Sequence, residues 1–305
     1  MFTARNKGRL ALGAVVVGAA LALSGCASGD PLDSGTDETN GASETITVGS
    51  QAYYSNEIIA EIYSQALENA GFTVERQFQI GQRDAYLPSL ENGDVDLFPE
   101  YTGNLLQFYS PDTKATTSDD VYAELKDALP EGLTVLDQSS ATDQDSYNVT
   151  KEFADANNLK SLEDLAKVTT PLTLGGNAEL EERPYGPAGL LSVYGATVGF
   201  SATGDTTVED LLAGTVNIAN VYSADPRIQT ENLVTLADPK GLFLASNVVP
   251  LVNADIADSI ADVINAVQAK LTPEGLVALN VESTVDQKSS ADIAKKWLED
   301  NDLLK

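Results

Sequence analysis

The 305-residue chain has no histidine. Histidine is the commonest general acid–base and the commonest protein ligand of zinc, so its absence removes His-based triads and His-built metal centres. Cysteine, methionine and tryptophan occur once each. A single cysteine cannot close an internal disulfide, and stability must come from packing. Basic residues are scarce: 18 Lys and Arg stand against 46 Asp and Glu, a formal net charge of −28. That field repels nucleic-acid phosphates and anionic lipid and attracts cationic solutes, so no nucleic-acid partner is expected. Apolar runs of the ~20 residues that a bilayer span requires are missing. There is no Gly-x-x-x-x-Gly-Lys-[Ser/Thr] loop, so nucleotide-driven work is not this chain's own task. No cofactor and no metal are expected.

The one cysteine, Cys26, ends an apolar stretch as Leu23-Ser24-Gly25-Cys26. Arg5, Lys7 and Arg9 come first, and residues 10–23 are then almost wholly apolar. A basic start, an apolar core and small residues before a cut describe a secretory signal peptide, here over residues 1–25. The Leu-x-Gly-Cys ending resembles the lipobox of bacterial lipoproteins. It implies a thioether lipid on Cys26, an extracytoplasmic location, and attachment to the cell membrane through that anchor alone. Residues 26–44 are polar, acidic and rich in Gly and Ser. They cannot bury a core and are expected to form a flexible tether.

From Thr45 the pattern changes. Residues 45–49 alternate as a strand, 55–70 carry apolar residues at helical spacing, and 72–78 alternate again. A short helix over 83–91 and a strand over 95–98 follow. The next cycle predicts a helix over 119–129, strands at 134–136 and 147–150, a helix near 151–157 and a capped helix start at Ser161. It continues with a strand at 172–174, helices over 187–198 and 206–213, and a strand at 216–219. From 254 onward the chain is predicted helical in three pieces, Pro273 opening the middle one. Strands alternating with helices predict parallel, doubly wound α/β sheets, and two such cycles predict two lobes with a ligand cleft between them.

The most specific internal segment is 93–103. It reads as a buried strand ending in a Pro-stiffened turn, with Tyr101 at the strand's C-terminal end, where open α/β sheets bind ligands. Its Pro99-Glu100-Tyr101-Thr102-Gly103 resembles the signature of the substrate-binding proteins of osmoprotectant importers, the glycine betaine/choline/carnitine-binding family of ABC transporters. Other segments match that family in order: Glu61-Ile62-Tyr63, Asp143 to Tyr147 with Val149 to Glu152, Ser161 to Leu165, Arg183-Pro184-Tyr185-Gly186, Asp225-Pro226, and Asn247 to Leu251. The likeness covers nearly all of 45–305. It implies a two-lobed periplasmic-binding-protein-like α/β fold of type II, closing on ligand by a hinge. Lobe one would be 45–138 plus 242–305, and lobe two 139–241. The implied partners are a small quaternary amine, a separate ABC permease and its ATPase.

A quaternary ammonium has no N–H to donate and spreads its charge over methyl groups, so aromatic faces hold it best. With eleven Tyr, eight Phe and one Trp, a cage here would be built mainly of tyrosine. Position within the matching motifs points to Tyr101, Tyr147 and Tyr222, with Tyr53, Tyr54 and Tyr185 as further candidates. Asp145 is expected either to supply a counter-charge or to cap a loop. Arg183 either grips a ligand carboxylate bidentately or pairs with surface acids beside it. Gln51, Asn104 and Ser246 stand where many members of the family carry a lysine, a hydroxyl residue and an aromatic residue; Gln51 and Asn104 remain candidate ligand contacts. Choline, glycine betaine, carnitine, proline betaine and a larger betaine such as ergothioneine all stay open, as does a receptor of this fold turned to another polar or aromatic solute. An enzyme acting on the cell envelope lacks support, since nothing resembles a nucleophile elbow and Asp94 and Asp96 read as strand-flanking residues. Trp297 shares a helical face with Ile293, Ala294 and Leu298 and is expected in the core.

Overall fold

The computed structural model describes residues 45–304. The signal peptide, Cys26 and the tether expected over 1–44 lie outside them. Among the described residues, ten strands fall into two five-stranded sheets: β1 (Thr45–Gly49), β2 (Thr73–Gln77), β3 (Leu97–Tyr101), β4 (Leu133–Val135), β5 (Tyr147–Val149), β6 (Thr173–Gly176), β7 (Gly199–Ala202), β8 (Ile218–Asn220), β9 (Val234–Thr235) and β10 (Val248–Asn253). The first sheet has the order β2-β1-β3-β10-β4 and the second β7-β6-β8-β5-β9. Each sheet with its helices is one lobe. Among the described residues no helix is long and apolar enough to cross a membrane.

The sheets are mixed, which corrects the purely parallel expectation. β2, β1 and β3 run parallel, as do β7, β6 and β8. β10 is antiparallel to β3 and β4, and β5 to β8 and β9. Strands joined by a helical crossover within one sheet are held parallel by that connection. β5 and β10 instead follow the two passages of the chain between sheets, and are free of that constraint. The two passages run side by side: Thr142 bridges Asn247, and Asp143 N donates to Ser246 O at 3.3 Å.

Local sequence explains the elements that carry the site. Helix α1 (Tyr54–Asn69) buries Ile58, Ile59, Ile62, Tyr63, Ala66 and Leu67, a single face at helical spacing. β3 is buried along its whole length although Pro99 stands at its centre. Proline is tolerated there because it faces Pro250 of β10. The two carbonyls point away from each other, Pro250 O accepting from Leu136 N and Pro99 O from Asn56 Nδ2 at 2.8 Å. The pair is therefore a non-hydrogen-bonded one, and the missing N–H groups cost no rung between β3 and β10. α1, β1, β3 and β10 share one core with Ile260, Ile264, Leu276 and Trp297 of the C-terminal helices. Tyr147, Leu174, Ile218 and Tyr185 belong to the core of the second sheet.

The helix expected over 187–198 forms only over its first eight residues, 187–194. A single turn (Pro187–Gly189) leads into a wide turn over Leu190–Tyr194, Gly195 stops it at φ +69°, and β7 begins at Gly199. The helical spacing of apolar residues there reflects packing of the turns onto the second core.

Candidate ligand-binding site

The chain ends of four parallel strands converge on one cleft. Gln51 and Tyr53 follow β1, Tyr101 closes β3, Asn177 follows β6, and Asn220 and Tyr222 close and follow β8. These are C-terminal strand ends, the positions from which open α/β sheets bind ligands. Asn104, in the first turn of α3 (Thr102–Tyr109), and Tyr185 with Arg183, on the loop after β6, complete the walls. Asp143 and Asp145 enter from the first passage between sheets. Tyr53 and Tyr222 meet across the cleft with ring centroids 5.1 Å apart. At this lobe separation the side chains nearly fill the space: the cavity is about 30 Å³, room for a few waters.

Eight of the nine ligand contacts expected from sequence line this cleft: Gln51, Tyr53, Tyr101, Asn104, Asp145, Arg183, Tyr185 and Tyr222. Tyr147 is the correction. It is fully buried in the second core, packs edge-to-face on Phe243 at 5.0 Å, and its hydroxyl donates to the backbone carbonyl of Tyr185. It supports the loop that carries Tyr185 and does not line the cavity. Cys26 lies outside the described residues. Tyr54 lines a second crevice of about 580 Å³, which shares Tyr53, Asn177, Asn220 and Tyr222 with the first.

The departures Asn104 and Ser246 prove to be one unit. Ser246 donates to Asn104 Oδ1 at 2.8 Å and accepts from Gly103 N at 3.1 Å, so it also satisfies an amide at the start of α3. Asn104 Nδ2 then donates to Asp145 Oδ2 at 2.6 Å and to the Tyr185 hydroxyl oxygen at 3.0 Å. Asn220 Nδ2 donates to Asp145 Oδ1 at 2.9 Å. Burial raises the Asp145 carboxyl above its ordinary value, while hydrogen bonds from Asn104, Asn220 and Tyr185 work to keep it ionised. The unit crosses the cleft and ties the lobes together. Gln51 is likewise engaged, Nε2 donating to the Tyr86 hydroxyl at 3.3 Å and its backbone N–H to Asn56 Oδ1 at 2.9 Å. Arg183 Nη2 reaches Asp84 Oδ2 at 3.2 Å, a second cross-cleft link, in place of the neighbouring acids Glu181 and Glu182.

Sequence reasoning passed over three groups. Asp143 stands in a segment that matches the family but carries no sequence signal of its own for a role. It is 3% exposed, accepts from Ala224 N at 3.0 Å and takes a longer bond from the Tyr53 hydroxyl at 3.3 Å. Burial is the main cause that pushes its carboxyl up to about 7, with Asp225 and Asp145 adding to it. Arg83 and Glu100 form a buried ion pair, Nε to Oε1 at 2.8 Å and Nη2 to Oε2 at 2.9 Å. Glu100 also accepts from the Tyr86 hydroxyl and, at 2.7 Å, from Tyr101 N. Burial alone would lower the Arg83 pKa; Glu100 beside it raises it well above the ordinary value. The pair therefore fixes the backbone that presents Tyr101. Only the nearness of Glu100 to Tyr101 was visible in sequence; Arg83, seventeen residues away on another element, was not.

The two glycines of the matching motifs have steric reasons. A Cβ on Gly103 would lie 2.7 Å from Ala245 O, and one on Gly186 2.1 Å from Leu180 O. The first lets α3 start against the second passage; the second lets the loop fold back and aim Tyr185.

Comparison with known proteins agrees with this geometry. A family profile described as OpuAC, substrate binding domain of ABC-type glycine betaine transport system, matches residues 44–300. The glycine betaine-binding protein YehZ of Escherichia coli (strain K12) is 26% identical over 276 residues, covering 84% of this chain and 90% of that protein. The carnitine transport binding protein OpuCC of Listeria monocytogenes is 25% identical over 268 residues, covering 85% and 87%. The crystal structure of a glycine betaine/carnitine/choline ABC transporter component shares the fold, with a TM-score of 0.69 at 20% identity over 85% of this chain and 100% of that one. The chain belongs to the OpuAC family, the substrate-binding domains of ABC-type glycine betaine transport systems, and is a solute-binding protein rather than an enzyme.

Proposed function

We propose that this protein is a lipid-anchored extracytoplasmic receptor that captures a quaternary ammonium solute in a tyrosine cage and delivers it to an ABC permease driven by a cytoplasmic ATPase. In this reading residues 1–25 are the signal peptide and 26–44 the lipidated tether. Residues 45–138 with 242–305 are lobe one, and 139–241 are lobe two. The cage is Tyr53, Tyr101, Tyr185 and Tyr222. The observation that carries the reading is the convergence of these four rings, from both lobes, around buried carboxylates on one cleft. Rings offer their negative faces to a cation, and a dry site strengthens that attraction to about 2 kcal/mol per well-placed ring. The names of YehZ and OpuCC, a glycine betaine-binding and a carnitine-binding protein, support the same ligand class.

Calorimetric titration of the mature chain with tetramethylammonium, choline, glycine betaine and carnitine tests it, with proline as a control lacking the quaternary head. At least one quaternary cation is expected to bind, with affinity falling about tenfold or more in Tyr101→Ala and Tyr222→Ala. Absence of heat and of ligand-induced thermal stabilisation across the whole panel would overturn the cage. For the anchor, the full chain is expected in the membrane fraction of the producing cell and Cys26→Ser in the soluble fraction; equal partition of both would remove the anchor.

A further inference from the structure

The charges lining the cleft are unbalanced. Its two guanidinium groups already have carboxylate partners: Arg83 is held at two points by Glu100, and Arg183 by Asp84. Asp143, Asp145 and Glu179 also line the cleft, and among the described residues none of the three forms an ion pair within 4 Å. Asp145 has its oxygens taken up by Asn104, Asn220 and Tyr185. Asp143 does not. One oxygen receives the Ala224 N–H, and the other only the 3.3 Å contact from Tyr53. An ionised carboxylate offers about four acceptor positions, so about two stay open on a buried side chain that lines the cavity.

We propose that Asp143 is the specificity residue of this cleft and selects a cation that carries an O–H or N–H donor and no carboxylate, in preference to a zwitterionic betaine. The inference rests on the quaternary-ammonium reading of the same site. A carboxylate on the ligand would arrive beside Asp143 and Asp145 with no uncommitted guanidinium to meet it, and like charges in a dry site oppose each other strongly. A hydroxyl at the same place donates into the open positions of Asp143, and the cationic head lies within the reach of its charge.

The surroundings of Asp143 make the selection pH-dependent. Tyr53 and Tyr54 face it from the start of α1, Tyr101 from β3, and Tyr222 and Asp225 from the segment after β8, with Asp145 on its own segment. Asp225 is committed to Arg227 at 2.7 Å. A bound cation favours the ionised form of Asp143, so binding releases a proton and tightens as pH rises through about 7.

Choline and glycine betaine share a trimethylammonium head and differ in a hydroxymethyl against a carboxylate, so their affinities isolate the effect. Titration of the wild-type mature chain at pH 8 is expected to give choline at least about tenfold tighter than glycine betaine. The preference shrinks at pH 6. Asp143→Asn is expected to cut it by a further factor of about ten and to flatten its pH dependence, with the melting transition intact as the control for folding. Glycine betaine equal to or tighter than choline in the wild type would overturn the inference while leaving the cage in place, and that result needs no variant to fold. Failure of tetramethylammonium, choline, glycine betaine and carnitine alike to bind would remove the cage reading and this inference with it.

Discussion

A carboxyl pushed up by burial ties the stability of the unliganded protein to pH. Asp143 titrates near 7 in the folded chain and near 3.9 when unfolded. Between about 4 and 7 the folded state therefore binds more protons than the unfolded one, and stability falls as pH rises through that window. This contribution is fully present below about 4 and gone above about 7; the three-unit gap corresponds to ~4 kcal/mol at most. Urea midpoints of wild type and Asp143→Asn at pH 5 and pH 8, without ligand, are expected to differ in slope, the wild type losing more stability toward pH 8. A parallel pair of slopes would show that Asp143 does not carry the effect. Tyr147→Phe tests a different relation. Removing the hydroxyl leaves the Tyr185 carbonyl without its donor, for a stability loss of about 1 kcal/mol. Ligand affinity should weaken in step with the loosened Tyr185 loop and not collapse as in Tyr101→Ala; a complete loss of binding would make Tyr147 a ligand contact after all. Sequence did point to Tyr147 as an aromatic in the right strand. What it could not convey was which side of β5 faces the second core, because the neighbouring Asn148 is as buried as Tyr147 and the strand shows no polar face.

Helices and strands were legible where one face is polar. The 83–91 and 151–157 helices agree with their expected bounds, and α1 starts one residue before the expected 55. The pattern predicts a strand at 95–98, whereas β3 runs from Leu97 to Tyr101, because Pro99 reads as a strand stop and the opposing Pro250 that makes it tolerable is distant in sequence. β10, Val248 to Asn253, is apolar on both faces and shows neither alternation nor helical spacing, as expected of a central strand. The motif glycines belong to this scale too, since each sets how closely two elements approach. Gly103→Ala should destabilise the protein by about 1–3 kcal/mol, through overpacking against Ala245 O. It should also weaken ligand binding by moving Ser246 off Asn104. A unchanged urea midpoint would mean that the second passage yields more readily than its hydrogen bonds suggest.

Over the whole molecule, the closed cleft is held by the protein's own groups: Asn104 to Asp145 and Tyr185, and Arg183 to Asp84. The Asp84 link is half in solvent, its carboxylate side chain 64% exposed, so Asp84→Ala should change global stability by less than about 1 kcal/mol. Its expected effect is kinetic: faster ligand dissociation in stopped-flow, with little change in the melting temperature. The same rate of release in both proteins would mean that the rim link does not restrain opening. The wide crevice beside the tyrosine-lined cleft is rimmed by Glu57, Asp205, Glu209 and Asp225 against Arg227 alone, within a chain of net charge −28. Capture of a cation should therefore slow as salt rises from about 10 mM to 0.5 M, as screening shortens the field. The sheet order has one more consequence. β10 lies between β3 and β4 and, among the described residues, is the only strand partner of β4. A nascent chain that has reached β9 holds the second sheet complete and the first still split in two. Lobe one, though it begins first, is completed last: a strand inside its sheet is supplied from the far side of an entire inserted lobe, so the part of the molecule made first must wait for the part made last.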